Sequence, residues 1–154
     1  MRNLALLIAA TALALPVSAK DSLGVYSGWA AFRDAKQPRC YAIARPRSGE
    51  GSASIATWPR KRVRNQVHIR LPRTVGSRGA NLSVGGRQFA LATNGSNAWA
   101  QDKAMDAAIV AAMRSASSMR VSARGADGRS FTQRYDLAGA ATAIDAAVVG
   151  CARR

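Results

Sequence analysis

The chain has 154 residues, with 23 lysines and arginines against 8 acidic side chains, a single histidine and a formal net charge of +15. A chain of this length forms one domain that buries about two-thirds of its unfolded surface, and its one histidine and two cysteines exclude a histidine- or cysteine-rich metal centre. So large a positive charge favours anionic partners of any kind, namely nucleic acid, lipopolysaccharide phosphates, acidic glycans or acidic proteins, and charge alone does not choose among them.

Met1, Arg2 and Asn3 lead into the apolar run "LALLIAATALALPV", which ends at "VSA" before Lys20. A cationic start, a short apolar stretch and small residues at Val17 and Ala19 are the three parts of a secretory signal peptide. Residues 1–19 are therefore expected to be removed, leaving 20–154 as one exported domain, periplasmic or secreted in a Gram-negative cell. Loss of Arg2 with the leader lowers the net charge by only one. No later stretch is long and apolar enough for a membrane helix, and no cysteine follows the cleavage site to carry a lipid anchor. In an oxidising compartment two cysteines normally pair, so Cys40 is expected to bond Cys151.

Short strands are predicted near 24–33, 39–45, 53–58, 63–71, 80–84 and 87–93. The segment 45–54, "RPRSGEGSAS", reads as a mobile connection. Gly85 and Gly86 fit the two-residue turn of a hairpin in "LSVGGRQFAL", because both tolerate a positive φ. In a second hairpin, turning at "GADG" (125–128), Met119, Val121 and Ala123 alternate with Arg120, Ser122 and Arg124. Phe131, Tyr135 and Leu137 do the same against Thr132, Arg134 and Asp136. One face is thus buried and one wet. Two segments have helical period instead. In "DKAMDAAIVAAMRS", Met105, Ile109, Ala112 and Met113 share a stripe, with Asp102 and Asp106 near the start and Arg114 near the end, matching the helix dipole. In "AATAIDAAVVGC", Ile144, Val148 and Cys151 share one, so Cys151 is expected to face inward. Cys40, Ala42 and Ala44 form a small-residue strand face that a helix can approach closely.

Taken in order, Trp29 and Phe32, "CYA" (40–42) with Pro46, "RVRNQVHI" (62–69), "FAL" (89–91), Ala98 and Trp99, Met113, "MRVSARG" (119–125) and "YDLAG" (135–139) closing on Cys151 resemble the invasion-associated locus B family of proteobacterial exported proteins. Arg114, Ser115 and Asp136 depart from the usual residues of that pattern. The resemblance implies a mainly β fold, an antiparallel immunoglobulin-like β-sandwich with one or two short helices. It also implies a periplasmic or secreted location, and it carries no established catalytic chemistry.

The residues themselves agree with that silence. A serine or cysteine nucleophile needs a base within reach, and His68 is the sole histidine. A metal ligand there lacks partners, so no catalytic residue, metal or cofactor is expected. Trp29, Trp58 and Trp99 read as core or rim packing. In "PRKRVRNQVHIRLPR" (59–73), Val63, Val67, Ile69 and Leu71 take one parity, while Arg60, Arg62, Arg64, His68 and Arg70 take the other. A continuous strand makes the second set a single outward anion-binding ladder, extended by Arg45, Arg47, Arg73 and Arg78. The same charges also suit the plainer role of keeping an edge strand unpaired. Two functions stand side by side. One is a non-enzymatic exported binding or adhesion module with a basic surface; the other is an envelope structural or stress-related protein whose charge is compositional, as 19 arginines against 4 lysines would allow.

Overall fold

In chain order the structure runs β1 (Asp21–Tyr26), β2 (Trp29–Asp34), β3 (Arg39–Ala44), β4 (Ser52–Trp58), a 3-10 turn (Pro59–Lys61), β5 (Val63–Arg70), β6 (Val75–Val84), β7 (Arg87–Asn94), β8 (Asn97–Trp99), α1 (Lys103–Ser115), β9 (Ser118–Gly125), β10 (Ser130–Asp136) and α2 (Ala140–Ala152). It is a computed structural model that describes residues 20–152. The proposed signal peptide, residues 1–19, lies outside the described residues.

All pairings are antiparallel, in the order β1-β2-β3-β4-β5-β8-β7-β6-β9-β10. The sheet turns over at β8 and β7, so that β6, β9 and β10 come back against the first strands. Trp29 Nε1 donates to the Asp136 carbonyl at 2.8 Å across that gap. The expected mainly β sandwich is therefore what forms. Trp29, Ile55, Ile69, Leu82, Val121 and Tyr135 meet in one core, each at most 2% exposed.

Strand periodicity holds best where it is cleanest, in β9 and β10, where Met119 opposes Tyr135 and Val121 opposes Gln133. The single strand expected at 24–33 is instead a hairpin. Ser27 takes φ 53° and turns the chain, and Tyr26 then opposes Trp29.

Small residues decide where α2 sits. Ala140, Ala143 and Ala147 are buried, as are Ala31, Ala42 and Ala44 of β2 and β3. Alanine on both surfaces lets helix and sheet approach closely, and the Cys40–Cys151 disulfide closes the contact with a Cα–Cα distance of 5.7 Å. The pairing and the inward Cys151 expected from the sequence both hold.

Helix α1 begins where the sequence indicates, with Asp102 accepting from the Met105 N–H at 2.8 Å as an N-cap. Asp106 departs from its expected role in the dipole. It is buried, and its Oδ1 accepts from the Val67 N–H at 2.8 Å. Strand β8 pairs with β5 only through His68, Ile69 and Arg70. The Val67 N–H lies just past the end of β8, and Asp106 takes the acceptor place a strand would fill.

The connection expected to be mobile at 45–54 is held in place: 52–54 belong to β4, and 45–51 are tied to β10. The Arg47 N–H donates to the Arg134 carbonyl at 2.7 Å, and its guanidinium pairs with Asp136. Gln133, 3% exposed, donates to the Glu50 carbonyl and accepts from the Tyr135 hydroxyl at 3.1 Å. A buried amide satisfied on both ends is a rigid link.

Candidate anion-binding surface

The expected arginine ladder is broken in the structure. Arg60 sits in the 3-10 turn, and Arg62 closes that turn in the left-handed region at φ 52°, its N–H bonded to the Pro59 carbonyl. In β5, Val63 opposes Trp58 and Gln66 opposes Ala56, so Arg64 and Asn65 together face only Thr57. That extra residue is a β-bulge, with Asn65 at φ 56°. A bulge shifts the alternation by one. Val63 therefore lies on the same face as His68 and Arg70, not with Val67 and Ile69 in the core. Only His68 and Arg70 of the five predicted residues occupy regular positions on the outer face. Arg60, Arg62 and Arg64 are exposed beside it on the turn and the bulge.

Register places a wider set on that face. Phe32 opposes Tyr41, which opposes Ala56, and Ile43 opposes Ser54, which opposes His68, which opposes Trp99. His68 Nε2 lies 3.0 Å from Asn97 Oδ1, and its ring centroid is 5.4 Å from that of Trp99. It is therefore partly covered rather than freely solvated. Trp29 is core, as the sequence allows, whereas Trp58 and Trp99 are half-buried on the outer face. At the Ile43 end a cleft of about 890 Å³ opens, lined by Ala30, Ile43, Arg45, Arg70 and the tied segment 46–51.

The electrostatics follow from how few acids there are and where they go. Asp21 pairs with Arg33 at 2.7 Å, Asp127 with Arg73 at 3.2 Å, Asp145 with Arg114 at 2.7 Å, and Asp136 with Arg47. Asp34 accepts from the Lys36 and Gln37 N–H groups, Asp102 caps α1, and Asp106 is buried on Val67. The pairs with Arg47 and Arg114 hold the carboxyls of Asp136 and Asp145 below the usual carboxylate range. Among the described residues Glu50 is the one acid whose carboxylate is paired with neither an arginine nor a backbone N–H. Among the described residues Arg39, Arg45, Arg60, Lys61, Arg62, Arg64 and Arg70 have no carboxylate partner, so the outer face and its turn keep their charge. Arg47 and Arg73, expected to extend that field, are neutralised. A second unpaired pair, Arg120 and Arg134, stands directly opposite across β9 and β10. It lines a polar cleft of about 510 Å³ with Ser83, Ser115 and Ser118.

Sequence reasoning located the basic segment but missed Arg39 and the rings around it. Their common face is visible only through register. No curated protein and no solved structure matches the chain significantly. The family model described as invasion associated locus B (IalB) protein matches residues 31–148, which span both layers of the sandwich and most of α2. The chain belongs to that family of exported proteins.

Proposed function

We propose that this chain is a non-enzymatic binding module, periplasmic or secreted, that holds anionic partners through the basic surface formed by Arg60, Arg62, Arg64 and Arg70 with Arg39, Arg45 and Lys61. The observation that carries the reading is the disposition of the acids. Seven of them are engaged by arginines or backbone N–H groups, and none of those engaged with arginine neutralises this surface. Arginine suits the role because its planar fork donates two hydrogen bonds at once to phosphate or carboxylate. The absence of catalysis is part of the same proposal: the His68 ring is engaged by Asn97 and Trp99, and the hydroxyl of Ser54, its cross-strand neighbour, donates to the His68 backbone carbonyl rather than to the ring.

The test is retention on heparin, lipopolysaccharide and DNA as salt is raised. Wild type is compared with combined Arg60→Ala, Arg62→Ala and Arg64→Ala, and with combined Arg120→Ala, Arg124→Ala and Arg134→Ala. Each phosphate contact removed lowers the slope of log affinity against log salt by about 0.7 to 0.9, so the first triple should lose a slope of about 2 to 3. Equal loss by both triples would mean diffuse charge and would favour the envelope structural or stress-related reading.

A further inference from the structure

The outer face of the first layer carries one ring from each of five neighbouring strands: Phe32 on β2, Tyr41 on β3, Trp58 on β4, His68 on β5 and Trp99 on β8. Phe32 and Tyr41 lie in the row that passes through Ala56, with Trp58 one pair further toward the 3-10 turn, whereas His68 and Trp99 lie in the row through Ser54, so the rings form two groups, with Trp58 about 13 Å along β4 from the His68 row. Phe32 and Tyr41 lie 5.7 Å apart between centroids, and His68 and Trp99 5.4 Å. The disulfide to α2 and the Trp29 bond to β10 put both the helix and the second layer on the opposite face. The chain has only 9 aromatic residues of the Phe, Trp and Tyr types. Four of them lie on this outer face, Phe32, Trp58 and Trp99 half-buried and Tyr41 covered to 5% exposure with the Arg39 guanidinium over its ring, while the core beneath is filled largely by alanine and the branched aliphatic residues.

Cations interleave with the rings. The Arg39 guanidinium lies 4.6 Å from the Tyr41 centroid and 5.1 Å from that of Trp58, and Lys61 Nζ lies 4.6 Å from Trp58. Arg39 Nε is buried with no hydrogen-bond partner among the described residues. A neutral glycan would use the rings without needing the charges, and an acidic glycan could meet both, but the Arg39 guanidinium plane set between Tyr41 and Trp58 favours a flat base over a puckered sugar. A polyanion that also carries flat rings uses both. We propose that this face is a docking site for single-stranded nucleic acid, with bases laid against the half-buried rings of the two groups and phosphates against the surrounding arginines and lysines. This rests on the anion-binding reading and names the ligand class for the same surface. Stacking on aromatic and guanidinium planes is tolerant of sequence, since every base has a π-face.

The experiment uses the purified, disulfide-bonded protein and three probes: a labelled oligothymidylate of about 12 nucleotides, within the site sizes of single-strand binders, an abasic phosphodiester of equal length, and heparin. Oligothymidylate should bind at least about fivefold more tightly than the abasic chain and should quench tryptophan emission. Trp58→Ala and Trp99→Ala should each weaken oligothymidylate binding by about 5- to 150-fold, lower heparin retention far less, and be largely rescued by Trp58→Phe and Trp99→Phe. The comparison of probes on wild type decides the matter even where an alanine variant does not fold. Equal affinity for the two oligomers overturns the proposal while leaving anion binding intact, as does displacement of oligothymidylate by polygalacturonate at matched charge. Loss of heparin, oligothymidylate and abasic binding together removes both readings.

Discussion

Reducing the Cys40–Cys151 bond isolates one strut of the fold without removing a side chain. The two residues are 111 apart in sequence, so the reduced unfolded chain regains the freedom of nearly the whole domain. In the chain-entropy treatment a loop of that size corresponds to about 4.8 kcal/mol at 25 °C. Domains of this size have a total stability of about 5 to 15 kcal/mol, so the bond accounts for a third or more of it. With a urea m-value of about 2 kcal/mol/M, reduction should lower the unfolding midpoint by about 2.4 M. Cys40 is fully buried beneath α2, so the strain-free alternative is a helix that stays docked on Ala42 and Ala44 by packing alone. The assay is urea unfolding followed by circular dichroism with and without dithiothreitol, with alkylation confirming two thiols. A midpoint shift below about 0.5 M would refute the loop-closure reasoning, since native strain in the bond or residual structure in the reduced unfolded chain would then have to offset nearly all of the entropy.

Asp106→Ala should destabilise the domain by about 1 to 3 kcal/mol, because it leaves the buried Val67 N–H without an acceptor. Asp106→Asn, which keeps an acceptor oxygen and removes the charge, should be close to wild type or better at pH 7 in urea unfolding. Burial raises the Asp106 carboxyl above its usual value near 3.8, with the Val67 hydrogen bond opposing and the charge of Asp102 adding. Its contribution to stability therefore falls as pH rises from about 3.8 through the folded value, a trend that Asp106→Asn should abolish. Asp136 and Asp145 behave oppositely: their arginine partners lower them, so their contribution is present above about 3.8 and is lost as pH falls through the folded values. Both are exposed, so molar salt should flatten that acid limb, and Arg47→Gln with Arg114→Gln should remove it. N-terminal sequencing of exported protein should begin at Lys20, and a start at Met1 in the envelope fraction would contradict cleavage after Ala19.

Features set by near neighbours in the chain were legible before folding was considered. Helix α1 announces itself by the Asp102 cap and the spacing of Ile109 and Met113, and the β9–β10 hairpin by alternation around a glycine-bearing turn. Two cysteines in an exported chain had only each other. The β1–β2 hairpin was hidden because Val25, Tyr26, Trp29 and Ala30 surround Ser27 and Gly28 with apolar residues, leaving no polar gap to mark a turn. Strand β8 was hidden because 3 residues are too few to show a period. The bulge left one faint trace, an asparagine, which tolerates the left-handed region better than most residues.

What tertiary structure alone decided is the chemistry of the surfaces. Arg47 meets Asp136 across 89 positions and Gln133 meets Glu50 across 83, and these contacts turn an apparently loose loop into one wall of a cleft. Phe32, Tyr41, Trp58, His68 and Trp99 are spread over nearly half of the chain, yet they share a face. Alternation along one strand tells which side chains lie together within that strand, whereas only inter-strand register tells which strands present them side by side. Register is set by core packing on the other face. The residue types of the outer surface came from the sequence, and their neighbours came from the hydrophobic residues beneath them.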